Sequence, residues 1–394
     1  MRLSVPISRR AWKEATWVFI LSRCVILLGT YISITTIPLH GWKTAHNCTL
    51  EFKLCLLSWF DWDAAIYVYI AQHGYHVPRY TVFFPLWPLL VHTVSAFFGT
   101  YFITYYVVGV FLANLCFYLS LVVFYALLSE DFEPTLARNA LYYLAFYPYG
   151  LFFFAGYAES LFLLLSLAVF FFLQRGKALD WWIAGICGFF AALTRAPGII
   201  LVIPFLVVFV QRFWLDSEGK QSSWLKKGKA LLPVILIPAG VLVYMLYLNY
   251  TTGNPFAFST QEATSWNRHL TFPWHGIIAT IRLLLFTSSP LQTINFLDLT
   301  FTLLPLTALL IGWRHLPLQY SLYALAMVIF ALSYPFISVE PLSATPRYLM
   351  VIFPIIVILA RWGKYPLFDR VVLTCSLPLL ALNIVFFISH YWVA

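Results

Sequence analysis

Long apolar runs separated by short polar stretches fill almost the whole chain. Their lengths carry the first reading. A helix needs about 20 apolar residues to cross a bilayer. Eleven runs reach or approach that length: 16–39, 101–128, 139–154, 157–173, 181–193, 198–213, 230–250, 291–313, 318–335, 349–360 and 371–389. A twelfth, 83–99, is interrupted by Pro85 and Pro88 and reads as a re-entrant or interfacial segment. Between the first two runs the chain reads WFDWDAAIYVYIAQHGYHVPRYTVFFPLWP over residues 59–88. There the spacing predicts a helix starting at Asp63, with Asp63, Tyr67 and Ile70 on one face, and ending at Gly74 as at a C′ glycine. It is expected to lie at the membrane surface and present a carboxylate to a water-filled cavity. A plain N-cap role for the Asp is the alternative reading.

Composition agrees with the runs. Of 394 residues, 62% are hydrophobic and 19% aromatic, which no soluble globular domain matches, so the chain is a polytopic all-α membrane protein. The net charge of +9 does not indicate a nucleic-acid partner, because its basic residues gather on one side. If 83–99 does not cross, the N-terminus and the loops 129–138, 174–180, 212–229, 314–317 and 361–370 share a face. That face holds Arg2, Arg9, Arg10, Lys13, the Lys226–Lys227–Lys229 cluster and most of the other Lys and Arg. The first run lacks a cleavage site and is expected to stay as a span. Cys48 and Cys55 share the first loop, where a disulfide can form if that loop faces an oxidising compartment. The other four cysteines sit in apolar runs as small hydrophobes.

The same topology places loop 40–100, the turn at Gly156–Tyr157, loop 251–290 and turn 336–347 on the outer side. Polar residues without an obvious structural role collect there: Asp61, Asp63, Glu159, Arg195, Gln261, Arg268, Arg282, Glu340 and Arg347. Singly, such residues snorkel or are solvated. Together they predict one polar cavity over the outer half of the bundle. No internal repeat of the kind transporters carry is visible, nor a Walker motif, a dinucleotide-binding glycine loop, HExxH or paired CxxC. Two close acids admit a metal, but no His or acid cluster has ligand spacing, so no metal and no cofactor are expected.

Motifs spread along the chain resemble the PIG-V family, the second mannosyltransferase of GPI-anchor synthesis and its prokaryotic relatives. They are Trp62-Asp63-Ala64, Ile70-Ala71, Gly74-Tyr75, Phe83-Phe84-Pro85 and Pro88, then Pro148 with Gly156-Tyr157-Ala158-Glu159-Ser160-Leu161-Phe162. Thr194-Arg195-Ala196-Pro197-Gly198, Gly253-Asn254-Pro255-Phe256-Ala257-Phe258 with Gln261, Trp266 and Arg268, and Pro346-Arg347-Tyr348-Leu349 follow in order. Eukaryotic members usually carry a Glu after the Gly-Tyr pair, where this chain reads His76-Val77-Pro78-Arg79-Tyr80, closer to prokaryotic relatives.

The resemblance implies a single GT-C-type glycosyltransferase domain over 1–394. It would comprise a first span at 16–39, an outer catalytic loop at 40–100, central helices at 101–250, an outer loop at 251–290 and C-terminal helices at 291–394. It implies transfer of mannose from a polyprenyl-phosphate donor, dolichyl- or undecaprenyl-linked, to a glycolipid or glycan acceptor, with inversion. The setting is the plasma membrane in a prokaryote or the endoplasmic reticulum in a eukaryote. On this reading Asp63 is the base, with Asp61 in reserve. Arg195, Arg347 and then Arg268 face the donor phosphate. Glu159 orients a hydroxyl or an arginine, and Gln261, Trp59, Trp62 and Tyr157 serve the sugars. Rival readings are a transporter of a lipid-linked sugar and a structural subunit of a membrane complex.

Overall fold

The computed structural model describes residues 7–36, 57–215, 223–288, 291–336 and 339–393. Cys48, Cys55 and Arg2 lie outside them. The described residues are almost entirely helical, and their one β contact is an isolated antiparallel bridge between Arg268 and Phe336. The helices are α1 (Arg9–Thr36), α2 (Asp63–His73), α3 (Leu86–Ser95), α4 (Phe102–Asp131), α5 (Pro134–Ala145), α6 (Glu159–Arg175), α7 (Ala178–Thr194) and α8 (Val202–Val210). They continue with α9 (Trp224–Leu231), α10 (Leu236–Thr252), α11 (Ala257–Thr264), α12 (His275–Phe286), α13 (Gln292–Gly312), α14 (Leu318–Leu332), α15 (Thr345–Met350), α16 (Phe353–Trp362) and α17 (Pro366–Ile388).

Six stretches among the described residues are long and apolar enough to cross a membrane: Arg9–Thr35, Phe102–Asp131, Ala196–Leu215, Trp224–Thr252, Gln292–His315 and Pro366–Ile388. The rest of the bundle uses shorter helices. Helix α3, the core of 83–99, has 10 residues, or about 15 Å of rise, half of what a crossing needs. Helix α12 is an apolar helix inside 251–290 that the run lengths did not single out. Cys24, Cys116, Cys187 and Cys375 are free thiols on membrane helices.

Two expected spans are corrected by their prolines. Run 139–154 is not one helix. Helix α5 stops at Ala145, ahead of Pro148, and a 3₁₀ turn at Gly150–Phe153 follows before α6 starts at Glu159. Broken backbone at membrane depth leaves polar groups that cost several kcal/mol each unless satisfied. Side chains of four other helices satisfy them, Asn114 of α4 donating to Phe154 O at 3.3 Å. Buried Arg23 of α1 donates to Phe153 O at 3.2 Å and Asn114 Oδ1 at 2.7 Å. Asn383 of α17 donates to Pro148 O at 2.9 Å, and Trp87 of α3 to Gly156 O at 3.0 Å. Run 349–360 is likewise split at Val351–Ile352 into α15 and α16, with Pro354 near the start of the second.

Helices α7 and α10 meet through small residues. A Cβ on Gly188 would come within 2.5 Å of the Ile237 side chain, and one on Gly240 within 2.4 Å of Phe189 O. Such close approach gives membrane helices their dispersion contact where burial from water does not drive it. The interrupted segments 146–158 and 339–352 of this scaffold end beneath one cavity.

Candidate active site

The cavity is about 540 Å³, and it draws on three of the four outer pieces named from the sequence, loop 40–100, loop 251–290 and turn 336–347, with Glu159 just past the fourth. Helix α2 supplies its first carboxylate. The helix runs from Asp63 to His73, and Gly74 closes it at φ +75. Asp63 does not act as the cap. That position is Trp62, at φ +55 and with no side-chain capping bond. A left-handed backbone at a Trp is strained. It turns Asp63 onto the cavity wall while Asp61, two residues before, stays off it.

Arg347 of α15 is the hub. Its Nη1 donates to Asp63 Oδ2 at 2.6 Å, and its Nε lies 3.4 Å from Glu159 Oε1 without hydrogen-bond alignment. The guanidinium sits 5.2, 5.3, 5.4 and 6.0 Å from the ring centres of Phe152, Tyr157, Tyr348 and Trp392. Glu159 is fully buried at the start of α6, where a helix N-terminus favours an anion. Its Oε1 accepts from Arg195 Nη1, and its Oε2 has no hydrogen-bond partner. Arg195 is extended between α7 and the 3₁₀ turn Ala196–Leu201.

Arg268 differs from these two. It donates to Tyr334 O at 3.1 Å and Ser343 O at 2.8 Å, and no carboxylate lies within ion-pair distance of it among the described residues. The Tyr348 ring lies at 4.8, 5.4 and 5.9 Å from the guanidinium carbons of Arg195, Arg347 and Arg268. Three like charges are thus gathered round one π face, which offsets part of their repulsion.

The structure therefore brings Asp63, Glu159, Arg195, Arg347, Arg268 and Trp62 together on the wall. It does not bring the others there. Asp61 contacts His390 Nδ1, and the Tyr157 hydroxyl donates to its backbone carbonyl at 3.4 Å. Tyr157 itself is buried beneath Arg347. Trp59 is buried, donates to Thr30 Oγ1 at 3.2 Å and stacks on Phe387. Gln261 accepts from the Ser265 hydroxyl within α11. Arg282 stays on α12, away from the wall.

Glu262, Tyr348 and Trp392 on the wall were not identified as site residues from the sequence, and Glu340 was expected in the polar cavity without a role. Glu262 and Glu340 add two carboxylates. Burial pushes the Glu262 carboxyl above the usual range against the pull of Arg268, and burial raises Glu340 as well. Glu262 neighbours Gln261 in the motif region, so a wider window would have found it. Tyr348 follows Arg347 directly. Trp392 carried no signal. It lies past the last helix, meets Trp62 edge to face at 4.9 Å and donates to Ser343 Oγ at 2.7 Å. His390, at φ +64, joins that segment to Asp61. With every group ionised, the wall carries Asp63, Glu159, Glu262 and Glu340 against Arg195, Arg268 and Arg347. Among the described residues, no group of three or more His, Cys, Asp and Glu is placed to hold one metal ion.

A family model described as Mannosyltransferase (PIG-V) matches residues 46–281, more than half of the chain. The fold is similar to that of ArnT from Cupriavidus metallidurans bound to undecaprenyl phosphate. The TM-score is 0.51 and the identity 16%, over 91% of this chain and 64% of that one. It also matches the oligosaccharyltransferase of Archaeoglobus fulgidus in complex with Zn and sulfate. There the TM-score is 0.46 and the identity 13%, over 97% of this chain and 53% of that one. The chain thus spans about half to under two thirds of the length of these structural relatives. No curated protein matches it.

Proposed function

The chain belongs to the PIG-V mannosyltransferase family, and from that membership we propose that it is an inverting mannosyltransferase acting on a polyprenyl-phosphate mannose donor. The acceptor is a hydroxyl of a glycolipid or glycan at the outer or lumenal face of the membrane. The observation that carries this reading is the Asp63–Arg347 contact at 2.6 Å on the cavity wall, with Glu159, Arg195 and Arg268 around it.

In the proposed reaction the acceptor oxygen attacks the anomeric carbon from the face opposite the phosphate. The carbon–oxygen bond to phosphate breaks, and polyprenyl phosphate leaves with both electrons. The acceptor proton passes to Asp63. Arg347 fixes one oxygen of that carboxylate, and the other makes no hydrogen bond among the described residues, which leaves it open to the hydroxyl. The leaving phosphate gains charge, which guanidinium forks match better than ammonium groups. Arg268 is free to take it directly, while Arg195 and Arg347 must share it with Glu159 and Asp63. ArnT binds undecaprenyl phosphate, and a prenyl anchor of that class suits the apolar flank of this cavity, with Phe83, Phe84, Met327 and Phe330. Trp62 and Trp392 offer stacking faces to sugars.

The test uses purified protein in vesicles, a polyprenyl phosphate bearing labelled mannose, and a membrane lipid extract as acceptor. Label is expected to move to a new glycolipid with release of polyprenyl phosphate. Label that crosses the bilayer still attached to its prenyl phosphate would instead support transport. Arg347→Ala and Arg195→Ala should weaken donor use by about ten- to a hundredfold, the range for hydrogen bonds to charged groups. Lys at either place should recover only part. An unchanged donor KM in both alanine variants removes these residues from the phosphate site.

A further inference from the structure

Helices α6 and α7 each have one end at the candidate active site and the other about 25 Å away, from 17 residues at 1.5 Å each. At that far end lies a second cavity of about 1050 Å³, enclosed by the α6–α7 turn, the segment Gln211–Leu215 and α9. Nothing in the proposed transfer uses it. Among the described residues its wall carries Arg175, Arg212, Lys226 and Lys229 against the carboxylate of Asp131. Asp180 lies 3.6 Å from Arg175 and compensates that charge in part. No carboxylate lies within ion-pair distance of Arg212, Lys226 or Lys229 among the described residues.

The cavity has the marks of a built site. Arg212 rides on a π turn at Gln211–Leu215, a distortion that recurs at functional sites. Its guanidinium is seated on Gly176, the left-handed residue that ends α6. A Cβ there would overlap Arg212 Nη1, so the guanidinium rests directly on the turn. Arg175 Nε is buried without a hydrogen-bond partner among the described residues. The rim is apolar, with Leu179 and Leu225 both 69% exposed and Trp182 partly so. Cations inside an apolar rim at the end of a membrane bundle match the boundary where lipid headgroups lie.

We propose that this cavity binds the phosphate headgroup of an anionic membrane lipid in the leaflet opposite the active site. Arg212 would take the phosphate oxygens as a fork and Lys226 and Lys229 would add charge, while the acyl chains lie along the rim.

The experiment is native mass spectrometry of the purified protein in neutral detergent with phosphatidylglycerol, phosphatidylcholine or inorganic phosphate added. Phosphatidylglycerol should stay bound and phosphatidylcholine should not. Retention should fall about fivefold for each cation removed, as for basic residues near a charged leaflet. The exposed Lys226→Gln and Lys229→Gln test this without a folding risk, and Arg212→Ala should lose more. Equal retention of both lipids, or retention unchanged in the lysine variants, overturns the proposal. So does displacement of phosphatidylglycerol by millimolar inorganic phosphate, which would make the ligand a soluble anion.

Discussion

Asp63→Asn separates chemistry from structure at the hub of the site. The amide keeps the size of the side chain and one acceptor oxygen, so Arg347 Nη1 still has a partner where Asp63 Oδ2 now stands at 2.6 Å. Glu159, 3.4 Å from Nε, remains as a counter-charge. The stability cost should therefore be about 1–3 kcal/mol, the range for a hydrogen bond to a charged group. Stripping Arg347 of all partners would cost about 3–5 kcal/mol. Removing a positioned base costs about 10²–10⁴ in rate, or roughly 3–5 kcal/mol of barrier at 1.36 kcal/mol per decade. The two effects are read in two assays: thermal unfolding in detergent, and label transfer per folded molecule from a polyprenyl-phosphate mannose donor. Asp63→Asn combined with Arg347→Gln should show a stability coupling of about 0.5–3 kcal/mol and no recovery of transfer. Asp61→Asn is the control, since its carboxylate meets His390 and lies off the cavity wall. A transfer rate within tenfold of the parent in Asp63→Asn, per folded molecule, would refute the base assignment.

Three further outcomes follow from the geometry. Trp392→Ala should raise the KM for the sugar substrates about tenfold with little change in stability, whereas Trp392→Phe keeps most of the stacking face; equal effects of the two would place the role in the Ser343 hydrogen bond instead. Burial raises the Glu262 and Glu340 carboxyls, so as pH falls they protonate before ordinary carboxylates and the wall loses negative charge; donor affinity should rise over that fall, and Glu262→Gln should flatten the profile, a profile unaltered by Glu262→Gln counting against the idea. Cysteines introduced at Lys226 and Ser259 should label from opposite sides of the membrane, and labelling from one side would sink the assigned topology.

The spans and the helix from Asp63 to Gly74 were legible because their signals are local: run length, helical spacing and a glycine stop. The gathering of outer loops was legible too, since polar residues in so apolar a chain have few places to go. The break after α5 was only half visible. Pro148 announces it, but the groups that satisfy the freed carbonyls, Arg23 and Asn383, sit on helices at opposite ends of the chain. A difference between Asp61 and Asp63 was expected from the sequence only as a ranking, with Asp63 the base and Asp61 in reserve. What became of Asp61 was not, because its partner His390 is 329 residues away.

The assignment of charges was the least legible part, for a physical reason. A sequence reports how many acids and bases a site holds, while their chemistry depends on which are paired. Arg195, Arg268 and Arg347 look alike in the chain, and the resemblance ranked Arg268 third for the phosphate. In the fold, Arg195 is engaged by Glu159 and Arg347 by Asp63, so neither can meet a phosphate without giving up part of a charge-assisted contact. Arg268 spends its donors on two carbonyls that keep none of its charge. On those grounds the wall, one negative charge in excess when fully ionised, would receive an anionic donor first at Arg268. Arg347 would meet it second, while still holding one oxygen of Asp63.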